Sequence, residues 1–480
     1  MELEPGRFFS PDAFARIGEN FARGSYEHNL KTHQYRFLLD GRLRPLEISP
    51  WFRAWWPNFF RQLEFVTSPP EASVDVAGFW RDGRRSSVFV FADTEKSVLR
   101  GTEFDRVRTR LFIRPAFYDG LEILAQRGER NAHGRFRLIA DPATNEWHTL
   151  ELCLDSTLDL AVAQQLLGPA GAKSLAPFRL ESPPELKLRG TFSGPAAPPG
   201  RKDKLRIEAR TTGEFRFNNF PLRDASFVAT LDGEEIVLDD FEALLADGVA
   251  GGHVRVWEAG GKRRLGFDFA LREATLGEVS AQLQTFFAAQ KGLPPPPPGK
   301  FVKEKAGVKL DFAASAEGLY NDPFSFRGDG NVALHGAEIG EVPLLGLLSE
   351  LLKFTALRFT EARGNFKIEG AKVVFPQVEL RGANSTIDAH GDYALDQRTL
   401  DFNAKIFPFQ ESESILKSVV GAVLTPLSNA FEVRLTGSLE KPEWAFVRGP
   451  TNFLRGLTEG PDSASKAPPS SEPKATDPKP

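Results

Sequence analysis

The sequence predicts a mainly β protein: a long, repeated antiparallel β-sheet with one apolar face and a few short capping helices. Three observations carry that expectation. Apolar and polar residues alternate over most of the chain, the period-two signature of strands with one dry and one wet face. Acid–Gly dipeptides fall between such runs, where glycine supplies the positive φ of a tight turn. A pattern of apolar strand, acid–Gly turn, second strand and small-x-Gly-x-apolar step also recurs. It runs from Leu111 to Phe136 around Asp119-Gly120, from Phe227 to Val254 around Asp232-Gly233, and from Phe366 to Tyr393 around Glu369-Gly370. The closing steps read AHGRF (132–136), AGGHV (250–254) and AHGDY (389–393). With Gly233 laid on Gly370, Ile236 falls on Val373, Leu238 on Phe375 and Phe241 on Val378, which points to duplication.

The elements follow in order. Segment 1–71 reads as helical or mixed. Ser10-Pro11 and Ser49-Pro50 each set a capping serine before a proline at the first helical position. The second pair opens PWFRAWWPNFFRQLEF (50–65). Its aromatic stripe suits either a helix plugging the end of a sheet or an interfacial segment touching lipid or a partner, and Pro57 interrupts it. Residues 72–291 read as a first β-groove region. Val107, Leu111 and Ile113 alternate there with Arg106, Arg108 and Arg110, and Leu265, Phe267, Phe269 and Leu271 alternate again before a helix over 275–290. Five prolines (294–298) and Gly299 make 292–300 a Pro-rich linker or long loop. Residues 301–456 form a second β region with apolar helices near 343–353 and 411–430 and a last strand at Trp444 and Phe446. The tail, 457–480, lacks apolar period and is expected to be disordered.

Composition narrows the function. The 480 residues hold 41 Phe against 5 Tyr and 7 Trp, which favours a dry face over a wet contact surface. A net charge of -4 argues against nucleic acid as a partner. Cys153 is the sole cysteine, so no intrachain disulfide forms. The start, MELEPGRFF, has no signal pattern. The longest apolar stretches, such as Val342 to Leu352, fall short of the roughly 20 residues a spanning helix needs. An anchor, if the protein has one, is expected outside this sequence.

Catalytic signals do not converge. His28, His33, His133, His148, His253, His335 and His390 are scattered, although His133 and His390 both precede a glycine in the repeat. Gly292 to Lys300 superficially resembles a phosphate loop but carries prolines, and Phe301 stands where Ser or Thr is needed. Asn384-Ser385-Thr386 fits a glycosylation sequon and Arg327-Gly328-Asp329 an ordinary turn. Glu234, Glu235, Asp239 and Asp240 read as a solvated strand edge rather than paired acid–base carboxylates. The expectation is a protein that is not an enzyme, with no catalytic residues, no cofactor and no metal.

Residues 327–446 resemble the AsmA-like C-terminal domain of the AsmA/TamB-type superfamily, a bridge-like lipid-transfer group. The likeness rests on four stretches in order: RGDGNVALHGAEIGEVPLLGLLSELL (327–352), GNFKIEGAKVVFPQVELRGANSTIDAHGDYAL (364–395), DQRTLDFNAKIFP (396–408) and TGSLEKPEW (436–444). Residues 72–270 share only the style. The resemblance implies an elongated, repeated antiparallel β-sheet curled into a groove (a β-taco), in a C-terminal portion of an envelope protein tethered to the inner membrane and projecting into the periplasm. It further implies a part in phospholipid movement or outer-membrane assembly, with lipid, a membrane surface or an envelope protein as partner. The expected groove lining is Phe366, Ile368, Val373, Phe375, Val378, Leu380, Phe402 and Ile406, with Lys367, Asp388 and Lys405 facing away. The alternative is a non-catalytic structural or scaffolding protein of the envelope, whose same face is a closed β core.

Overall fold

The computed structural model describes residues 2–48, 61, 63–66, 70–144, 146–297, 299–343, 356–383, 385–407, 431–438 and 442–448. The protein is mainly β, with 69% of the described residues in strands. The strands are β1 (Glu2–Glu4), β2 (Arg7–Ile17), β3 (Asn20–Asn29), β4 (Gln34–Arg42), β5 (Leu63–Phe65), β6 (Glu71–Phe79), β7 (Asp82–Leu99), β8 (Thr102–Arg114), β9 (Phe117–Arg127), β10 (Arg130–Ala140), β11 (Trp147–Ser156), β12 (Phe178–Leu180), β13 (Glu185–Ser193) and β14 (Lys204–Arg210). They continue with β15 (Glu214–Phe217), β16 (Phe220–Asp232), β17 (Glu235–Leu245), β18 (Gly248–Ala259), β19 (Lys262–Thr275), β20 (Lys309–Leu319), β21 (Asp322–Pro343), β22 (Ala356–Glu369), β23 (Lys372–Arg381), β24 (Thr386–Ala394), β25 (Thr399–Phe407), β26 (Phe431–Ser438) and β27 (Pro442–Arg448). The helices are α1 (Pro45–Ile48), α2 (Leu160–Leu175), α3 (Leu276–Gln290) and α4 (Lys300–Glu304). The chain divides into two compact units at Phe326/Arg327.

In the first unit, each strand pairs antiparallel with the next row of the ladder. Three rows are split in two: β5 and β6 both pair with β7, β12 lies beside β13's row through β15, and β14 and β15 both pair with β16. The second unit repeats the meander from β21 to β27.

Several sequence expectations need correction. Segment 1–71 is not helical at its start: β1 to β4 lie within residues 2–42, and among the described residues the four-residue α1 is the helix that follows. Ser10-Pro11 does not cap a helix. Pro11 and Asp12 sit together opposite Ser25 in a β-bulge, because Ser10 pairs with Tyr26 and Ala13 with Gly24. A bulge is one of the few strand sites where proline's missing N–H costs no ladder bond. The Ser49-Pro50 helix, most of 50–65, the helices at 343–353 and 411–430, Asn384 and the tail lie outside the described residues, although Leu63–Phe65 is strand. Residues 292–297 and 299 lie in a loop between α3 and α4 within the first unit, and Lys300 opens α4. The ladder continues across it, because β19 and β20 pair from Arg264↔Leu319 to Thr275↔Lys309.

The repeat is real but differently framed. Asp119-Gly120 lies inside β9, not in a turn; the β8–β9 turn is Pro115-Ala116, with Ala116 at φ 61°. Asp232-Gly233 and Glu369-Gly370 are turns, with Gly233 at φ 65° and Gly370 at φ 70°. The register then gives four equivalent turns: Pro5-Gly6, Pro115-Ala116, Gly233-Glu234 and Gly370-Ala371. Each is followed at the same distance by a two-residue bulge: Pro11-Asp12, Leu121-Glu122, Asp239-Asp240 and Pro376-Gln377. Opposite these stand Ser25, Arg135, His253 and His390. His253 and His390 therefore share a repeat position, and His133 does not. Within the first unit, β2, β9 and β17 are six rows apart along the ladder.

Candidate functional site

Register decides which side chains share a face, because paired residues of adjacent strands point the same way. In the second unit Ile368 pairs with Val373, Val373 with Tyr393, and Tyr393 with Leu400. Phe375 pairs with Gly391, and Gly391 with Phe402; Leu380 pairs with Ile387, and Ile387 with Ile406. Val378 joins the same side through Gly364 on one flank and Ala389 on the other. Phe366 completes it by packing its ring on Phe375. All eight predicted lining residues therefore lie on one apolar face spanning β22 to β25.

The other face is ionic. Lys367, Asp388 and Lys405 are exposed, and Asp388 pairs with Lys405. Arg434 bridges to Asp401 at 2.8 Å, Lys372 to Asp392 at 3.5 Å and Lys405 to Glu432 at 3.8 Å. The Arg434 hydrogen bond holds Asp401 below the usual carboxylate range against a smaller desolvation effect. The first unit repeats this split. Arg36 meets Asp75 at 2.7 Å, Arg255 meets Glu235 at 2.7 Å, and Asp93 is gripped by Arg106 (2.6 Å) and Arg108 (3.1 Å). Its dry side runs through pairs such as Phe37↔Val76, Val90↔Leu111, Leu154↔Leu188, Ile207↔Ala229 and Phe267↔Ala316.

A row of rings crosses the second unit's apolar face. Phe366 and Phe375 stand 5.8 Å apart, and Phe375 and Phe402 5.5 Å apart. The last two rings belong to β23 and β25 and meet over β24 because Gly391 between them has no side chain. A Cβ there would lie 2.2 Å from the Asp401 carbonyl oxygen and 2.6 Å from the Phe402 side chain. Glycines play a related part in the first unit. Gly252 stands between Phe241 and Phe269, and Gly134 between Ile123 and Leu154.

Coverage of the face is uneven. Phe366 (7%) and Ile406 (4%) are buried, while Ile368, Val373, Phe375, Val378, Leu380 and Phe402 are half-buried. Ile387, Ala404 and Val433 are buried beside Ile406, so the face closes at the margin where β25 ends. In the first unit buried side chains concentrate where the helical connections fold back: Phe104, Val162, Phe215, Leu222, Leu271 and Val302. A smaller group, Ile113, Ala116, Ala140 and Val256, lies at the opposite margin.

Sequence reasoning missed an aromatic cluster in the first strands. Tyr26 stacks on Phe37 at 4.4 Å, Tyr35 packs on Trp80 at 4.7 Å, and Trp80 Nε1 donates to Tyr26 Oη at 3.2 Å. The alternation of Tyr35 and Phe37 was the available signal, obscured by reading 1–71 as helical. Three of the histidines form local pairs: His253 Nδ1 lies 2.7 Å from Asp239, His133 Nε2 lies 3.7 Å from Asp155, and His148 Nδ1 lies 2.9 Å from Thr149 Oγ1. Cys153 is a free thiol. No helix among the described residues is long and apolar enough to cross a membrane. No protein-family model matches the chain, and neither a curated protein nor a solved structure matches it.

Proposed function

We propose that the apolar sheet face curls into a trough that carries or shields phospholipid acyl chains between membranes, or supports outer-membrane assembly by doing so. The observation that supports this reading is the register: it places Phe366, Ile368, Val373, Phe375, Val378, Leu380, Phe402 and Ile406 on one side, six of them half-buried, with charges confined to the other. Each methylene exposed to water costs about 0.8 kcal/mol. An apolar strip of protein removes most of that cost for a lipid tail in transit, and no bond need be made or broken. Phenylalanine suits the task because it offers large area and no polar atom to hold a head group. The order of motifs in 327–446 favours the same reading, and with it an envelope location in the periplasm.

The test is site-specific photo-crosslinking in the purified protein, with bound lipid identified by mass spectrometry. Capture is expected from Val373, Phe375, Val378 and Phe402, less from the buried Phe366 and Ile406, and none from Lys367, Asp388 or Lys405. Equal capture from the charged side would overturn the reading.

A scaffolding role with a closed β core is the second reading. The buried group Ile387, Ala404, Ile406 and Val433 favours it. It predicts a protein that purifies free of lipid.

A further inference from the structure

The six-row repeat of the first unit puts every long connection in the same place. Each copy breaks after its third strand: 43–70 joins β4 to β6, 157–184 joins β11 to β13, and 276–308 joins β19 to β20. Antiparallel strands an even number of rows apart run the same way, so all three connections leave one margin of the sheet. There each returns to an earlier strand end. Arg44 of the first pairs with Glu19 at 3.0 Å. Arg100 Nη1, in the β7–β8 turn, donates to the Leu166 carbonyl of α2 at 2.5 Å. Phe286 of α3 packs on Phe220 of β16 at 5.5 Å.

The third connection carries apolar side chains that the fold leaves uncovered. Leu283 is 40% exposed, Phe287 57%, Leu293 57% and Phe301 47%. Leu283 and Phe287 are four residues apart on α3 and so share a face. Phe287 continues a line of rings through Phe286 and Phe220, beside which Phe217 is also exposed. The exposed lysines of this connection are Lys291, Lys300 and Lys303; of its two acids, Glu304 already bridges Lys300 at 3.3 Å, and the exposed Glu278 lies in the first turn of α3. Uncovered Leu and Phe with a lysine rim is the chemistry of a segment that lies in the interface of an anionic bilayer: the apolar groups enter the boundary of head groups and tails, and the lysines meet phosphates.

We propose that the 276–308 connection docks the protein on an anionic phospholipid bilayer through Leu283, Phe287, Leu293 and Phe301, with Lys291, Lys300 and Lys303 on the head groups. This adds a docking point to the acyl-chain reading without depending on it. The repeat makes the margin that bears this connection the membrane-facing one.

The experiment is vesicle flotation with the full chain, on phosphatidylcholine vesicles with and without phosphatidylglycerol. The wild type is expected to float with the anionic vesicles. Leu283→Ser with Phe287→Ser should weaken that binding about tenfold. Lys291→Gln with Lys303→Gln should weaken it about tenfold on anionic vesicles and leave the neutral ones unchanged. The altered side chains are exposed, so far-UV circular dichroism should not change in either pair. Wild-type flotation by either pair overturns the proposal. So does a self-association that the Ser substitutions abolish while vesicle binding stays absent, since the patch would then be an interface between two copies. Lipid found by mass spectrometry in the Leu283→Ser, Phe287→Ser protein separates the two readings, because it leaves carriage standing whatever the flotation shows.

Discussion

Gly391→Ala is the sharpest probe of the second unit's apolar face. The added Cβ would lie 2.2 Å from the Asp401 carbonyl oxygen and 2.6 Å from both Phe402 Cα and Phe402 Cγ. Two of those atoms are backbone and belong to the paired strand β25, so a rotamer change cannot relieve the clash. β24 and β25 must separate locally, and the Phe402 ring must also leave its place over Gly391. Overpacking of this kind costs about 1–3 kcal/mol. At about 2 kcal/mol the midpoint of thermal unfolding should fall by about 4–8 °C. Gly340→Ala is the control, because nothing lies within 4 Å of the atom it would add; its cost should stay within the roughly 0.5–1 kcal/mol range of ordinary strand glycines, in either direction. Differential scanning calorimetry reads both. Phe402→Ala in the Gly391→Ala background should cost less than the two separate losses together, by about 0.5 kcal/mol or more, because one removes what the other strikes. Equal midpoints for Gly391→Ala and the wild type, or strict additivity in the double variant, would mean that the ring row does not sit over Gly391.

Three other outcomes are expected. Gly370→Ala forces a β-carbon onto a residue at φ 70° and should lose about 1–2 kcal/mol, whereas Gly370→Asn should lose less, as urea unfolding would show. Pro376→Ala should leave stability nearly unchanged because Pro376 sits in a bulge, while Val374→Pro, two residues earlier and paired with Lys367, removes a ladder hydrogen bond and should cost about 1–3 kcal/mol. Asp93→Asn tests the ionic face. The Arg106 hydrogen bond, with Arg108 adding to it, holds the Asp93 carboxyl below its ordinary value. Its stabilising effect is therefore complete above the unfolded-state value and lost as pH falls through the lower folded one. Asp93 is 24% exposed on a solvated face, so the difference from wild type at neutral pH should be no more than about 1 kcal/mol. That difference should shrink to nothing in strong acid, and a constant difference from neutral to acid pH would show that the pair does not titrate.

Alternation made the apolar face legible before any coordinates. It needs only the parity of residues within one run, which Phe366 and Ile368, Val373 and Phe375, Val378 and Leu380, and Phe402 and Ile406 each keep, while the Pro376-Gln377 bulge shifts it between Phe375 and Val378. What parity cannot show is a bulge, since one extra residue flips every side chain after it. Reading Asp119-Gly120 as a turn followed from this. The dipeptide has turn chemistry, but the chain spends its positive φ earlier, at Ala116, and Gly120 serves instead as floor for the Phe136 ring, which would lie 2.4 Å from a Cβ there. Ser10-Pro11 misled for a similar reason. Proline's lost N–H is tolerated both at a helix start and in a bulge, and only the pairing of Ser10 with Tyr26 and Ala13 with Gly24 tells them apart. Side-chain coverage was not legible at all. Ile406 and Phe402 are both apolar, on one strand and on one face, yet Ile406 is buried and Phe402 is half-buried; the difference comes from position along the strand.

That difference bears on how the two halves of the face divide their work. In the first unit the margin bearing the helical connections is where side chains are sealed: Val162 of α2 and Val302 of α4 are buried there, near the strand ends that hold Phe104 and Leu271. In the second unit the sealed group of Ile387, Ala404, Ile406 and Val433 lies at the margin where β25 ends, the equivalent of the point where β19 gives way to α3 in the first. Stability and access therefore need not compete. The sealed margin can supply hydrophobic burial, at about 25 cal/mol per Å², while the ring row of Phe375 and Phe402 keeps the partial exposure that the proposed passage of a lipid tail would require. Substitutions at the two places should separate accordingly. Ile406→Ala is expected to cost about 2–5 kcal/mol of stability with little change in which positions crosslink to lipid. Phe375→Ala is expected to cost less stability and to abolish lipid capture at Phe402, across the gap that Gly391 leaves open. If Ile406→Ala instead removed lipid without unfolding the protein, the sealed margin would be part of the conduit and the division of labour along the strand would be wrong.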